Sequence, residues 1–156
     1  MATDIKIKPV KESKISNVDF SDLPFGKVFS DHIFQCEYID GAWQNPIIKP
    51  NEPILINPAA KIFHYGQSIF EGMKAYKDGK GEVFLFRPEE NCKRLNLSAE
   101  RLMMPEIPAE LFMDGLKKLL EIDNDWIPTT EGSSLYVRPF MFASGEGLHA
   151  SPADSY

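Results

Sequence analysis

The first half of the chain alternates apolar and polar positions in short runs, which predicts β-strands. Residues 32–39 and the Ala42-Trp43 pair read as extended. The intervening Asp40-Gly41 predicts a tight hairpin, because both residues tolerate a positive φ. A stretch rich in Pro and Asn at 46–53 then leads to a short predicted strand at 54–56.

A second predicted hairpin pairs residues 73–76 with residues 82–86. The segment between them, 77–81, contains two glycines, which make a turn easy to form. Much later in the chain, Ser133 to Phe142 predicts a final strand. The strands therefore lie on both sides of a differently patterned middle region.

That middle region has the 3.6-residue period of two helices. The first begins at Pro88, where a missing N–H costs nothing, and is stopped by Pro105. Its predicted apolar stripe is Cys92, Leu95, Ala99, Leu102 and Met103. The second begins at Pro108 and ends near Asp123, and its stripe is Leu111, Phe112, Leu116, Leu119 and Leu120. Strands grouped around two adjacent helices predict an α+β fold with a mainly antiparallel sheet.

The segment Phe63–Tyr76 fits neither period, although it holds four aromatic residues and two glycines. Such a segment is typical of a pocket lining, and Tyr65 and Phe70 could form one apolar wall. The alternative is that these aromatics are simply core. The same two interpretations stay open for Phe29, Phe34 and Trp43.

Two arginines are candidate anion ligands. Tyr136 and Arg138 are two apart on a predicted strand, so they share a face on which a carboxylate could bind. The alternative is an edge-strand arginine held by a surface acid. Arg94, two turns into the first long helix, could reach a phosphate, or it could be a solvated helix residue. We interpret Glu71 as a paired structural acid rather than a general base, and we expect Lys74 to face water.

Composition and charge restrict the possible partners. The 156 residues are 43% hydrophobic and 26% charged, with a net charge of −6 and no block of like charges, which argues against nucleic acid. The two cysteines and three histidines are too dispersed for a metal cluster. No signal peptide or membrane-length apolar run is apparent, so we expect a cytoplasmic protein. Residues 1–24 predict a polar arm ahead of one domain at 25–156. Because the chain stops in a polar loop at Tyr156, we expect a truncated chain or proteolytic fragment.

Four segments together resemble the branched-chain amino acid aminotransferases, which are fold type IV pyridoxal-phosphate enzymes. They are Phe25–His32, His64–Tyr76, Phe86–Arg94 and Ser134–Pro139, in this order along the chain. The resemblance covers only the smaller N-terminal domain of that family. It implies the small domain of the D-amino acid aminotransferase-like fold.

The resemblance also implies a role for individual residues. Arg94 matches the arginine that holds the phosphate of pyridoxal 5'-phosphate, and Tyr136 and Arg138 match a pair implicated in substrate carboxylate recognition. The residues that match walls of the substrate side-chain pocket are Phe29, Tyr65 and Phe70. Tyr136, with Leu148 and Ala150, matches positions that reach the active site of the other subunit, which implies a homodimer.

The family's catalytic lysine lies in the C-terminal domain, outside the resemblance. The implied parent enzyme transfers the amino group of leucine, isoleucine or valine to 2-oxoglutarate. Without the lysine, we expect these 156 residues alone to be inactive and to bind the cofactor poorly. Two alternatives stay open: a D-amino acid transaminase or aminodeoxychorismate lyase of the same fold, and a non-catalytic oligomerisation module.

Overall fold

The computed structural model describes residues 4–156, and the strands in this range form three small sheets. The first sheet has the order β1-β3-β2, with β1 at Lys6–Ile7, β2 at His32–Ile39 and β3 at Ala42–Pro50. The predicted Asp40-Gly41 hairpin is confirmed, with φ values of 53° and 79°. Strand β1 runs parallel to β3, whereas the other strand pairs are antiparallel.

Strand β3 continues into the Pro- and Asn-rich stretch and ends at Pro50. Residues 54–56 form no strand, so the strand predicted there is wrong. Pro46 is tolerated because the register of β2 against β3 shifts there. The adjacent Asn45 takes up the irregularity with a φ of 53°. The Ile-Leu-Ile run at 54–56 has no strand partner, and Leu55 is fully exposed.

The second and third sheets are built from the remaining five strands. Strand β4 (Ser68–Phe70) pairs with β8 (Phe140–Phe142). Strand β5 (Met73–Lys77) lies between β6 (Val83–Leu85) and β7 (Leu135–Val137), which confirms the second hairpin.

The single strand predicted from Ser133 to Phe142 is wrong. The chain leaves one sheet after Val137 and enters another at Phe140. At the break, the carbonyl of Pro139 accepts the backbone N–H of Glu71 at 2.8 Å, while proline itself has no N–H for a ladder.

Three α-helices occur in the described range: α1 (Lys61–Tyr65), α2 (Pro88–Arg101) and α3 (Ala109–Ile122). The two long predicted helices are confirmed, but α1 was not predicted. Leu102 and Met103 do not belong to the apolar stripe, because α2 ends at Arg101 and the chain turns through Met103 at a φ of 55°. Met104 is buried in their place. None of these helices is long and apolar enough to span a bilayer.

One hydrophobic core lies between the sheets and the two long helices. The helices contribute Cys92, Leu95, Ala99, Leu111, Phe112, Leu116 and Leu120, whereas Leu119 of the predicted stripe is only half-buried. The strands add Ile69, Met73, Ala75 and Met141. Phe34 and Trp43 pack against this core, as the second interpretation of these aromatics proposed. The arrangement confirms the α+β class and leaves the opposite face of β5 exposed at Lys74 and Tyr76.

A buried polar network joins the N-terminal residues to the first sheet. The Asp31 carboxylate accepts hydrogen bonds from the Ser13 hydroxyl at 2.5 Å, the Lys14 backbone N–H at 3.0 Å and the Trp126 indole N–H at 3.0 Å. Burial would raise the pKa of Asp31, but these three donors outweigh it and hold the pKa below its usual range. Asp31 is therefore an ionised residue in the folded protein at neutral pH.

Candidate functional site

The corner between β4 and β5, at Glu71 and Gly72, brings the two predicted anion ligands to neighbouring positions. Arg94 reaches this corner from the second turn of α2. Its Nε donates to Glu71 Oε2 and its Nη2 donates to Glu71 Oε1, both at 2.6 Å. Glu71 is 5% exposed, whereas the side chain of Arg94 is 66% exposed. The buried acid thus fixes a guanidinium whose outer side faces solvent.

Glu71 is an ionised structural partner rather than a proton acceptor. The hydrogen bond from Arg94 is the main reason that the pKa of Glu71 is lowered, and the Gly72 N–H at 2.7 Å adds to it. In return, Glu71 raises the pKa of Arg94. The interpretation of Glu71 as a paired acid agrees with this geometry.

The exposed side of Arg94 opens onto a depression of about 550 Å³. It is lined by Phe86, Arg87, Glu90, Asn91, Lys93, Arg94 and Leu97. In residues 4–156 no acceptor contacts the Nη1 group of Arg94, so that group is available to an anion. A fixed guanidinium with free donors fits a phosphate group such as that of pyridoxal phosphate.

At the same corner, the guanidinium of Arg138 contacts two aromatic rings. Its guanidinium carbon lies 4.4 Å from the centre of the Phe70 ring and 5.2 Å from that of Tyr136. Its Nη2 and Nε donate to the Tyr136 hydroxyl at 3.1 and 3.3 Å. Within residues 4–156 no carboxylate pairs with Arg138, so the alternative of a surface acid has no support there.

Gly72 is part of this group because it leaves room for Tyr136. A Cβ at position 72 would lie 2.0 Å from the Tyr136 hydroxyl oxygen and 2.8 Å from its Cζ. The ring of Phe25 also contacts Tyr136 edge-on, with the ring centres 5.2 Å apart. Tyr136 thus lies against the Gly72 backbone and the Phe25 ring, with its hydroxyl beside Arg138.

The remaining predicted site residues form a second group around α1. The Tyr65 hydroxyl donates to the Leu148 carbonyl at 2.7 Å, which joins α1 to the segment that contains Ala150. Leu148 is 69% exposed, and Ala150 is also exposed. Phe29 is exposed just ahead of β2, and in the described range no ring contact joins it to Tyr65 or Phe70.

Sequence reasoning missed Gly72 and Lys61, both of which contact predicted site residues. Gly72 is uninformative until Tyr136, far away in the sequence, is placed against it. Lys61 lies in an unpatterned run, yet its ammonium group is buried beside the 148–151 segment.

No cluster of three or more His, Cys, Asp or Glu side chains that could hold a metal ion occurs in residues 4–156.

Known structures share this arrangement of strands and helices. The branched-chain amino acid aminotransferase of Escherichia coli superposes with a TM-score of 0.57 at 24% identity, covering 79% of this chain and 38% of that one. The T.th. branched-chain amino acid aminotransferase, solved with N-(5'-phosphopyridoxyl)-L-glutamate, gives 0.54 at 26% identity, covering 78% of this chain and 39% of that one. The fold is thus the one found in part of these aminotransferases.

Sequence comparison finds relatives that are more similar than these structures. No protein-family model matches the chain. Branched-chain-amino-acid aminotransferase 2 of Bacillus subtilis is 48% identical over 139 residues, which are 88% of this chain and 38% of that protein. A probable branched-chain-amino-acid aminotransferase of Staphylococcus aureus N315 is 46% identical over 157 residues, 100% of this chain and 43% of that protein. The chain is therefore similar in sequence to branched-chain-amino-acid aminotransferases, in line with the resemblance, and spans about two fifths of the length of these relatives.

Proposed function

We propose that this chain is the smaller N-terminal part of a pyridoxal-phosphate-dependent aminotransferase. Residues 25–156 form the domain behind a polar arm at 1–24. The whole protein moves the amino group of leucine, isoleucine or valine to 2-oxoglutarate. The observation that carries the proposal is the corner at Glu71 and Gly72, where a fixed guanidinium contacts Glu71 and an arginine–tyrosine pair lies against Gly72.

Arg94 binds the cofactor phosphate in this proposal. Glu71 neutralises part of its charge and fixes the guanidinium plane, so little side-chain freedom is lost when the phosphate binds. Pyridoxal phosphate, when bound, supplies the electron sink for the bond changes at the substrate α-carbon. The lysine that carries the cofactor and moves the proton lies outside these 156 residues.

The aromatic residues recognise the amino acid substrate, and Arg138 recognises the 2-oxo acid substrate. Phe70, Tyr65 and Phe29 each supply apolar surface to an aliphatic substrate side chain in this proposal, as branched-chain amino acids require. Arg138 and Tyr136 provide charged and neutral donors for the carboxylate of 2-oxoglutarate. The 64% exposure of Phe70 supports a ring that is covered only when substrate and the rest of the protein are present.

The site is shared between two subunits of a cytoplasmic homodimer. Its support is the 146–151 segment, which presents an apolar Leu148 at 69% exposure beside Tyr65. Because the lysine and the rest of the phosphate site lie elsewhere in the protein, residues 1–156 alone are expected to be inactive and to retain the cofactor poorly.

Cofactor titration of the full-length protein tests the phosphate role. Arg94→Ala should raise the Kd for pyridoxal phosphate about tenfold or more, because charge-assisted hydrogen bonds are lost. Arg101→Ala, an exposed arginine on the same helix, serves as the control and should leave Kd unchanged. An unchanged Kd in Arg94→Ala would remove the phosphate role.

A substrate series tests the side-chain wall. Phe70→Ala should lower kcat/KM for leucine and valine more than for glutamate, because only the aliphatic chains lose apolar contact. Equal losses for all three would make Phe70 a packing residue. Preferred turnover of D-alanine by the unmodified protein would instead indicate the D-amino acid transaminase alternative.

A further inference from the structure

Lys61, the first residue of α1, is a buried lysine whose ammonium group contacts a single segment of the chain. The residue is 4% exposed. Its Nζ donates to the His149 carbonyl at 3.2 Å, the Ser151 carbonyl at 3.1 Å and the Ser151 hydroxyl at 2.7 Å. An ammonium group has three N–H donors, and these three oxygens match that number.

Carbonyl and hydroxyl oxygens offset the charge of Lys61 without help from an acid. In residues 4–156 no carboxylate lies within 4 Å of its Nζ. The ring of Tyr65 lies 5.8 Å from the ammonium group and adds a weak cation–π attraction. Because a buried charge without partners is costly, the 149–151 backbone and Lys61 must stay together for either to be satisfied.

Backbone hydrogen bonds hold the N-terminal end of the same segment. The backbone N–H of Lys61 donates to the Gly145 carbonyl at 2.9 Å, and the backbone N–H of Gly147 donates to the Ala59 carbonyl at 3.0 Å. Together with the hydrogen bond from Tyr65 to Leu148, these contacts hold the backbone of 145–151 on both sides of Leu148. The Leu148 side chain is nevertheless 69% exposed, so the contacts hold the backbone and leave an apolar group free.

We propose that Lys61 is a positioning residue for substrate side-chain recognition. Its ammonium group holds the 145–151 segment so that Leu148 and Ala150 contact the substrate's aliphatic chain in a fixed position. The inference rests on the proposed function, which gives Leu148 and Ala150 a substrate to contact. Without the ammonium group, the segment would have to be ordered each time that substrate binds, which weakens binding.

The test compares Lys61→Met in the full-length holoenzyme with Lys80→Met, an exposed lysine in the turn between β5 and β6. Lys61→Met should raise KM for leucine and valine about tenfold and change kcat less than about threefold, because binding is affected more than chemistry. Lys61→Arg, which keeps the charge and donors, should restore part of the loss. Lys80→Met should match the unmodified protein.

A double variant separates positioning from general damage. If Lys61 acts through Leu148, then Lys61→Met should raise KM for leucine much less in a Leu148→Ala background than alone. A general loss of folding would instead add fully to the effect of Leu148→Ala and lower the melting temperature in proportion. Equal effects in both backgrounds would overturn the proposal.

Amide hydrogen exchange keeps this proposal distinct from the proposed function. In Lys61→Met, the amides that are protected between Gly145 and Ser151 should exchange about tenfold faster, while α3 stays protected. Suppose that exchange there is faster but the protein does not transaminate branched-chain amino acids. The proposed function and the substrate role of Lys61 would then be rejected, whereas the role of Lys61 in ordering the segment would stand. Unchanged exchange and unchanged KM in an active protein would overturn the Lys61 proposal alone.

Discussion

Replacing Gly72 by alanine should disturb the arginine–tyrosine pair while leaving the fold in place. Gly72 does not have a positive φ, so an alanine backbone is compatible with this position. The new Cβ would lie 2.0 Å from the Tyr136 hydroxyl oxygen, whereas ordinary contacts begin at 3.4 Å. The hydroxyl must therefore retreat by about 1.4 Å or more, which moves it away from Arg138.

The expected loss is larger for catalysis than for stability. Overpacking in a closed core costs about 1–3 kcal/mol, but Tyr136 is only half-buried, so we expect about 1 kcal/mol or less. A displacement of about 1 Å at a substrate-positioning group can reduce the rate about 100-fold. We therefore expect kcat/KM for 2-oxoglutarate to fall between about 10- and 100-fold.

The assay is steady-state transamination by the full-length protein, with the Kd for pyridoxal phosphate measured in parallel. The cofactor Kd should not change, because the hydrogen bonds between Arg94 and Glu71 do not involve Gly72, and alanine keeps the backbone N–H that Gly72 donates to Glu71. Gly79→Ala is the matched control, since a Cβ there meets nothing within 4 Å and its φ is not positive. A wild-type kcat/KM for 2-oxoglutarate in Gly72→Ala would refute the role of the Tyr136–Arg138 pair. An equal loss of cofactor affinity would show that the variant disturbs the whole corner.

Two further predictions follow from the ionised acids. Glu71→Gln removes the charge that fixes Arg94, so the Kd for pyridoxal phosphate should rise about tenfold in a spectral titration; an unchanged Kd would show that Arg94 needs no partner. Asp31 has a folded-state pKa below its ordinary value of 3.8, so its contribution to stability is complete above that pH and is lost as pH falls through the folded-state pKa. Urea unfolding should therefore show a smaller loss of stability below about pH 4 in Asp31→Asn than in the unmodified protein, and equal pH dependence would contradict the assignment.

The regular elements were predictable where the sequence signal is local. Helices α2 and α3 carry long apolar stripes and begin at Pro88 and after Pro108, and both hairpins contain turn residues with favourable backbone conformations. The end of α2 was not predictable from periodicity, because Leu102 and Met103 continue the apolar pattern after the helix has stopped. Their exposure follows from the turn at Met103, which brings Met104 into the core.

The strand predictions were wrong where pairing with a neighbouring strand decides whether a segment becomes a strand. The run at 54–56 is apolar enough for a strand, but no neighbouring strand pairs with it. The run from 133 to 142 has no turn signal except Pro139, and only the positions of β4 and β5 show that it serves two sheets. Strand β1 consists of two residues, which is too short for any period to reveal.

The candidate site was predictable in its residue types and not in its contacts. The two-residue spacing of Tyr136 and Arg138 correctly suggested neighbouring side chains, although Arg138 lies just beyond β7. The bidentate contact between Glu71 and Arg94 joins residues 23 positions apart, and a local pattern does not contain it. The role of Lys61 depends on a segment nearly 90 residues later, so it required the folded structure.

The most direct test of the central claim is amino transfer by the full-length protein with pyridoxal phosphate, measured as glutamate formed from leucine and 2-oxoglutarate. The account predicts glutamate formation with leucine, isoleucine and valine, the parallel reciprocal plots of a ping-pong reaction, and loss of activity when the cofactor is removed. Absence of glutamate formation with all three amino acids, in a folded protein saturated with cofactor, would contradict it.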